Sequence, residues 1–159
     1  MNLITKTVAI SYVVLLSVIM GFALFSGVVV APVLFNSITS LGEPVLSRFQ
    51  EGLLMTSVFV RLSYPLAIIC LISLVYELVQ YRKKSADWLA LISMILMVVT
   101  GLLFVFYFVP EIVHMQERGP LVTQSAMFSS IHKTSEICFK VTVISGIVLA
   151  VRNIIKLIR

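Results

Sequence analysis

Four long apolar segments divide this chain of 159 residues, and they restrict its fold more than any other feature. The first has no charged residue over positions 7–42, and the third has none over positions 88–110. Both exceed the roughly 20 residues that a helix needs to cross a bilayer. Hydrophobic residues make up 60 % of the chain and charged residues 12 %, a balance that suits a lipid-facing bundle and not a soluble domain of this length. The sequence therefore predicts an all-α fold, an integral membrane four-helix bundle.

The other two segments contain polar residues but are still long enough to span. The second includes Arg61 and Pro65. The fourth has an uncharged core only between Lys140 and Arg152, so these two side chains must reach toward opposite interfaces. We expect one transmembrane domain over residues 1–159, with spans at about 8–35, 52–80, 88–113 and 131–156.

The charged residues are distributed unevenly between the two sides of such a bundle. Four spans place both termini and the central loop on one side, which holds seven lysines and arginines against two acidic residues. The opposite side holds five basic and five acidic residues. Because Lys and Arg favour the cytoplasmic side, we expect the N- and C-termini and the basic run at 82–84 to be cytoplasmic. Topology and anionic lipid then account for the net charge of +5, and no nucleic-acid partner is expected.

Small residues recur at four-residue spacing in two of the predicted helices. They are Ala23, Gly27 and Ala31 in the first helix and Thr142, Gly146 and Ala150 in the fourth. Residues four apart lie on one helix face, and small side chains there let helices approach closely in lipid. Both faces are predicted packing surfaces, either within the bundle or between copies in a homo-oligomer.

A second group of residues is polar and lies toward the predicted outer side. Its members are Arg61, Glu111, His114, His132, Ser135, Glu136 and Lys140. His132, Glu136 and Lys140 follow one another at four-residue steps, which places them on one helix face. An arginine within the membrane is costly unless it is paired. We therefore expect Arg61 to pair with Glu111 or Glu136.

Three interpretations of this polar group are open. The first interpretation is a structural ion-pair network that joins the outer ends of three helices. Alternatively, it is a metal or haem site, for which His114 and His132 are the candidate ligands. The third interpretation is a polar pathway for an ion or small solute, with Arg61 and Pro65 at its constriction.

The first connection is expected to contain a short interfacial helix. Ser40 and Glu43 have the spacing of a capping box, and the apolar residues that follow suggest a helix that continues into the second span.

The sequence contains no Gly-rich phosphate loop, nucleophile elbow, His-Glu-x-x-His or Cys-x-x-Cys motif. We therefore expect a protein that is not an enzyme and has no resident cofactor, with haem or a divalent metal as the alternative.

Three stretches of the sequence carry a family resemblance. They are FSGVVVAPVLF in the first helix, FVPEI in the third and FSSIHKTSE leading into the fourth, and they resemble bacterial members of the transmembrane protein 205-like group, a four-helix family of unknown function. Phe128, His132 and Ser135 match the F-x-x-x-H-x-x-S pattern of that group, whereas Phe139 stands where an asparagine is expected. The resemblance implies a four-helix membrane protein in which His132 has a significant position, and it implies no known reaction.

These observations together predict a small multi-pass protein of a bacterial cytoplasmic (inner) membrane. Without a catalytic motif, it is expected to act as a packing, assembly or accessory protein. Its expected partners are the lipid bilayer and either further copies of itself or a larger membrane complex. A haem- or metal-binding protein and a small-solute or ion transporter are the alternatives.

Overall fold

The structure is a computed structural model that describes residues 3–43, 45–83 and 87–158. All regular secondary structure in these ranges is helical. Four helices are long and apolar enough to cross a membrane, and we name them α1, α3, α4 and α6; they cover Leu3–Phe35, Arg48–Arg82, Trp88–Glu117 and Ala126–Ile158. Two short helices lie between them, α2 at Ser37–Leu41 and α5 at Pro120–Thr123. The predicted all-α fold with four membrane-length helices is confirmed.

The four long helices form a ring in which each packs against two neighbours. α1 lies against α3 and α6, while α4 lies between α3 and α6. Apolar side chains fill the centre, and those that are almost fully buried include Leu16, Met20, Leu66, Ile69, Met97 and Leu149. The charged residues are left to the two ends of the bundle and to its lipid-facing surface.

Two contacts define what we call the termini end of the bundle. The Tyr12 ring at the start of α1 stacks on the Tyr76 ring near the end of α3, with centroids 4.1 Å apart. Asp87, which caps the start of α4, accepts a hydrogen bond from Arg152 near the end of α6. The opposite end, where α1 leads into α2 and α4 into α5, is the far end. Lys84, one of the basic residues counted toward topology, lies outside the described residues.

The first connection differs from its prediction in two respects. A short helix forms at Ser37–Leu41, before the segment that follows the predicted Ser40 cap, and it stops at Leu41 because Gly42 adopts a left-handed conformation with φ of 77°. The expectation that this helix continues into the second span is therefore wrong. The capping box belongs to Ser47 and Gln50, which bond reciprocally and start α3 at Arg48. The side chain of Ser40, on which the predicted capping box rested, lies outside the described residues.

Small residues bring α4 close to its neighbours near the middle of the bundle. A Cβ atom added at Gly101 would lie 2.7 Å from Cys70 Sγ of α3 and 3.2 Å from Thr142 Cγ2 of α6. The hydroxyls of Thr100 and Thr142 form a hydrogen bond of 2.7 Å across the α4–α6 contact. Three helices therefore meet at Gly101 with no space for a side chain.

Candidate functional site

The candidate site is a cavity that opens where α1 and α6 separate. α1 contacts α6 along Leu3–Phe25, but its remaining residues up to Phe35 pack mainly against α3. In the far half of the bundle this separation leaves a cavity of about 880 Å³. We call it the lateral cavity, because lipid-facing residues such as Val28 of α1 and Ile144 of α6 lie at its edge.

A π-helical turn interrupts α1 at the level where this separation begins. Over Ser26–Val30 the backbone closes an i→i+5 hydrogen bond, from the Ala31 amide to the Ser26 carbonyl. The extra residue in the turn rotates the following part of the helix relative to the preceding part. Pro32 lies two residues after the turn ends, and a proline favours such a turn because it lacks an amide hydrogen for the regular ladder. The sequence thus changes the face that α1 presents to its neighbours halfway across the bundle.

α4 carries a matching irregularity on the opposite wall of the lateral cavity. A second π-helical turn spans Phe104–Phe108, with the Val109 amide bonded to the Phe104 carbonyl, and Pro110 follows it. Phe104 and Val109 both line the cavity. π-Helical turns inside α-helices occur frequently at functional sites. Here the two turns occur in separate helices, and each contributes residues to the same cavity.

The base of the lateral cavity consists of three phenylalanines from three helices. Phe59, Phe104 and Phe139 contact one another with ring centroids 5.1 to 5.6 Å apart. Such tilted and edge-to-face arrangements are favourable aromatic contacts. Phe139 occupies the position where the resemblance led us to expect an asparagine, so this part of the cavity is apolar in this chain. Met55, Ile112 and Val143 add aliphatic surface.

Polar groups lie on one wall of the lateral cavity, toward the far end. His132, Ser135, Glu136 and Lys140 of α6 all line it. Glu136 and Lys140 form an ion pair of 2.6 Å, and the His132 ring lies parallel to the Phe128 ring at 6.0 Å. The Ser135 hydroxyl donates to the His132 carbonyl at 2.7 Å. The structure thus brings four of the predicted polar residues together on one helix.

An ion pair between a buried carboxylate and an exposed guanidinium anchors the wall on the other side of the cavity. Glu51, 5 % exposed, accepts hydrogen bonds from the Ser37 hydroxyl at 2.5 Å and from Arg48 at 3.1 Å. Arg48 also donates to the Phe35 carbonyl at 2.8 Å, with its guanidinium 5.4 Å above the Phe35 ring. These contacts join the end of α1 and the start of α2 to α3, and Arg48 and Phe35 both line the cavity.

The other predicted polar residues lie elsewhere. Arg61 is exposed on α3 and forms no ion pair with Glu111 or Glu136 in the described part of the chain, so the expected pairing is wrong. His114 is exposed, and its ring nitrogen lies 3.3 Å from Arg118. The described residues contain no group of three or more His, Cys, Asp or Glu side chains placed to hold a metal ion. The two candidate histidines therefore have no surrounding ligand set within those residues.

The predicted packing residues divide into two groups. On α6, Thr142 is fully buried, Gly146 is buried against Met20 of α1, and Ala150 is 7 % exposed. On α1, Ala23 is fully buried and Gly27 and Ala31 are half-buried, and all three line the lateral cavity. The α6 residues thus face other helices of the bundle, and the α1 residues face the cavity.

A second polar group, which the sequence did not predict, lies at the termini end. Glu77 is fully buried, and its Oε1 accepts a hydrogen bond of 2.7 Å from Asn153 of α6. Lys156 Nζ lies 3.9 Å from the other carboxylate oxygen. The spacing of Asn153 and Lys156, three residues apart, places both on one face of α6. That spacing is the signal that the sequence offers for this group.

Comparison with known proteins assigns the chain to a family. A model of a domain of unknown function, DUF4149, matches residues 14–120. The chain belongs to the DUF4149 family. No curated protein and no solved structure matches it. The matched range includes both π-helical turns of this DUF4149 protein, together with Pro32 and Pro110, and it ends before α6 and the Phe128–His132–Ser135 pattern.

Proposed function

We propose that this DUF4149 protein is a non-enzymatic accessory protein that holds the hydrocarbon chain of a membrane lipid in the lateral cavity. The observation that carries the proposal is the separation of α1 and α6 in the far half of a bundle whose helices are long enough to cross a membrane. A cavity of about 880 Å³ lies within the range of known small-molecule sites, about 300–1,000 Å³.

The chemistry of the walls favours a hydrocarbon chain over water or a polar solute. The base is formed by Phe59, Phe104 and Phe139, and water gains too few hydrogen bonds in such an apolar space. The edge at Val28 and Ile144 faces the region where acyl chains are the solvent. A chain that enters there keeps its apolar contacts and adds dispersion contacts with the rings.

The polar wall favours an occupant with a polar end that carries little net charge. The Lys140 ammonium is already neutralised by Glu136, and the Arg48 guanidinium by Glu51. A strongly anionic headgroup would have to displace one of these carboxylates. A neutral or zwitterionic headgroup can lie at the cavity mouth without breaking either pair, and its acyl chain then fills the apolar part.

The test uses Gly27 as the point at which the cavity is filled. A Cβ atom at Gly27 would lie 3.4 Å from a Phe139 ring carbon, so Gly27→Leu extends into the cavity. Gly21→Leu is the matched control, because a Cβ at Gly21 has nothing within 4 Å and the residue is exposed on the same helix. The measurement is crosslinking by a lipid with a photoreactive group in its acyl chain, followed by mapping of the modified residues.

We expect the wild type and Gly21→Leu to be labelled at residues such as Phe104 and Phe139, and Gly27→Leu to lose most of that labelling. Equal labelling of all three proteins at residues outside the cavity would refute lipid binding. Loss of a homo-oligomer in Gly27→Leu, with no labelling of the cavity residues in the wild type, would instead favour the assembly role, with a helix of a second copy as the occupant.

We also propose that the protein lies in a bacterial cytoplasmic membrane with the termini end facing the cytoplasm. The distribution of lysine and arginine supports this orientation. Of two reporter enzymes fused in turn to the C-terminal end, only the one that works in the cytoplasm should be active. Activity of the one that works in the periplasm would show the opposite orientation, and the lateral cavity would then open in the cytoplasmic leaflet.

A further inference from the structure

Gln116 is a buried amide on the wall of the lateral cavity. Its side chain lines the cavity near the end of α4, and the residue is only 7 % exposed. Among the described residues that line the cavity, Ser135 is also polar and buried, but its hydroxyl already donates to the His132 carbonyl. The Gln116 side chain forms no hydrogen bond with any residue that the structure describes. Because buried polar groups in native proteins are nearly always hydrogen-bonded, this amide points to a ligand in the cavity.

Gln116 lies at a depth that suits the ester group of a lipid. A Cβ atom at Gly52, in the second turn of α3, would lie 3.6 Å from Gln116 Nε2, so the amide lies at the far end between the start of α3 and the end of α4. Along α4, Gln116 is about 18 Å from Phe104 at the base of the cavity, at 1.5 Å per residue. A lipid chain spans about 15 Å, half of the hydrocarbon core of a bilayer. A chain that ends against the phenylalanines therefore has its ester group beside Gln116.

A primary amide has both donors and an acceptor, and this restricts the ligand. Gln116 Nε2 can donate to the carbonyl of an acyl ester, whereas Oε1 needs a hydrogen-bond donor. The cations on the cavity walls are already paired, Lys140 with Glu136 and Arg48 with Glu51. A fully esterified glycerolipid has no donor at the level of its ester groups, so it would leave Oε1 buried without a partner, which is unfavourable.

We propose that Gln116 selects a lipid that carries a free hydroxyl beside its acyl ester, as a lysophospholipid or a diacylglycerol does. The inference rests on the proposed function and names the class of lipid that the lateral cavity holds. Gln116 Nε2 donates to the ester carbonyl, and the lipid hydroxyl donates to Gln116 Oε1. The acyl chain then lies against Phe59, Phe104 and Phe139. The neutral or zwitterionic remainder of the headgroup lies at the cavity mouth and leaves both ion pairs intact.

The test compares two photoreactive lipids that differ only at this hydroxyl. One is lysophosphatidylethanolamine with a photoreactive group in its acyl chain, and the other is the same lipid with hydrogen in place of the hydroxyl. Both are offered to the full-length protein in bilayer nanodiscs. In the wild type, the lipid with the hydroxyl should label Phe104 and Phe139 severalfold more than its counterpart does. Gln116→Leu keeps the size of the side chain and removes the amide, so it should be labelled equally by both lipids. Gln124→Leu is the matched control, because Gln124 also lines the cavity but is exposed, and it should keep the preference of the wild type.

The outcomes distinguish this inference from the proposed function. Equal labelling of the cavity by both lipids in the wild type, or a preference that persists in Gln116→Leu, would overturn the role of Gln116 and leave lipid binding in place. Labelling of the cavity by neither lipid would refute the proposed function, and this inference with it. A diacylglycerol with the same photoreactive chain distinguishes the two sources of the hydroxyl, since the source is the lipid whose labelling falls in Gln116→Leu.

Thermal stability shows whether Gln116→Leu still folds, and it supplies a second readout. Without added lipid, the variant should melt at the temperature of the wild type or higher, because it loses no hydrogen bond within the protein and removes a buried amide that has no partner there. Added lysophosphatidylethanolamine should raise the melting temperature of the wild type and of Gln124→Leu more than that of Gln116→Leu. A lower melting temperature of Gln116→Leu without lipid would mean that the amide is bonded inside the protein, which contradicts the proposal.

Discussion

Replacement of Gly101 by alanine should destabilise the bundle, because three helices meet at this residue. A Cβ at Gly101 would lie 2.7 Å from Cys70 Sγ, whereas ordinary contacts of this kind measure 3.4–4 Å. Cys70 is fully buried, and its thiol lies 3.8 Å from the Met97 carbonyl, so the sulfur has no open space into which it can withdraw. Thr142 Cγ2 at 3.2 Å limits movement toward α6 in the same way.

The size of the effect is a difference between two terms. Overpacking of a close-packed core costs about 1–3 kcal/mol. The change from glycine to alanine inside a helix returns up to about 1 kcal/mol through helix propensity. The 2.7 Å contact places the overpacking cost in the upper part of its range, so we expect Gly101→Ala to lower the free energy of unfolding by a net ~1–2 kcal/mol. Gly21→Ala, where a Cβ meets nothing within 4 Å, should be neutral or slightly stabilising.

The assay is reversible unfolding in mixed micelles at increasing dodecyl sulfate, followed by circular dichroism. The double variant Gly101→Ala with Cys70→Ala removes the atom that the new methyl group would strike. It should be more stable than the sum of the two single changes predicts, since residues in contact couple. The reasoning is refuted if Gly101→Ala unfolds like Gly21→Ala, or if the two changes at 101 and 70 are additive.

At the termini end, the hydrogen bond from Arg152 lowers the pKa of Asp87. This pair therefore stabilises the fold at pH values above the ordinary pKa of aspartate. The contribution is lost as the pH falls through the lowered pKa. Asp87→Asn should cost less than about 1 kcal/mol at neutral pH, and its difference from wild type should vanish in acid; a difference in unfolding curves that is constant with pH would contradict this. Asn153→Leu removes the donor to Glu77 and should destabilise by about 1–3 kcal/mol, so a wild-type unfolding curve would count against the buried hydrogen bond. His132→Ala should leave the metal content of the purified protein unchanged, because the described residues gather no metal-ligand set; elemental analysis that shows a stoichiometric metal lost in the variant would restore the metal-site interpretation.

The fold could be predicted because its signal is local. An uncharged segment whose helical length exceeds the thickness of the bilayer has to be a helix in lipid, whatever its neighbours are. The first and third segments meet that condition directly, and the structure gives helices at Leu3–Phe35 and Trp88–Glu117. The start of α3 was harder, since Ser40 and Ser47 both have a capping residue three positions later. Gly42, in a left-handed conformation between them, separates the two helices.

The site could be predicted only in part, because it depends on how the helices are rotated relative to one another. Three polar residues on one face of α6, His132, Glu136 and Lys140, follow from helical spacing alone, and they do share the cavity wall. The partner of Arg61 depends on which face α3 turns toward α4 and α6, and hydrophobic length carries no information about that rotation. Arg61 turned out to be exposed on the outside of the bundle.

The lateral cavity itself was not predicted, because small residues at four-residue spacing indicate close helix packing. Ala23, Gly27 and Ala31 instead all line the cavity, with Ala23 fully buried and the other two half-buried. The π-helical turn at Ser26–Val30 falls within this set. Both π-helical turns lie within the range that the DUF4149 model matches. The α1 and α4 walls of the cavity therefore lie in the matched range, whereas the Glu136–Lys140 ion pair on α6 lies outside it.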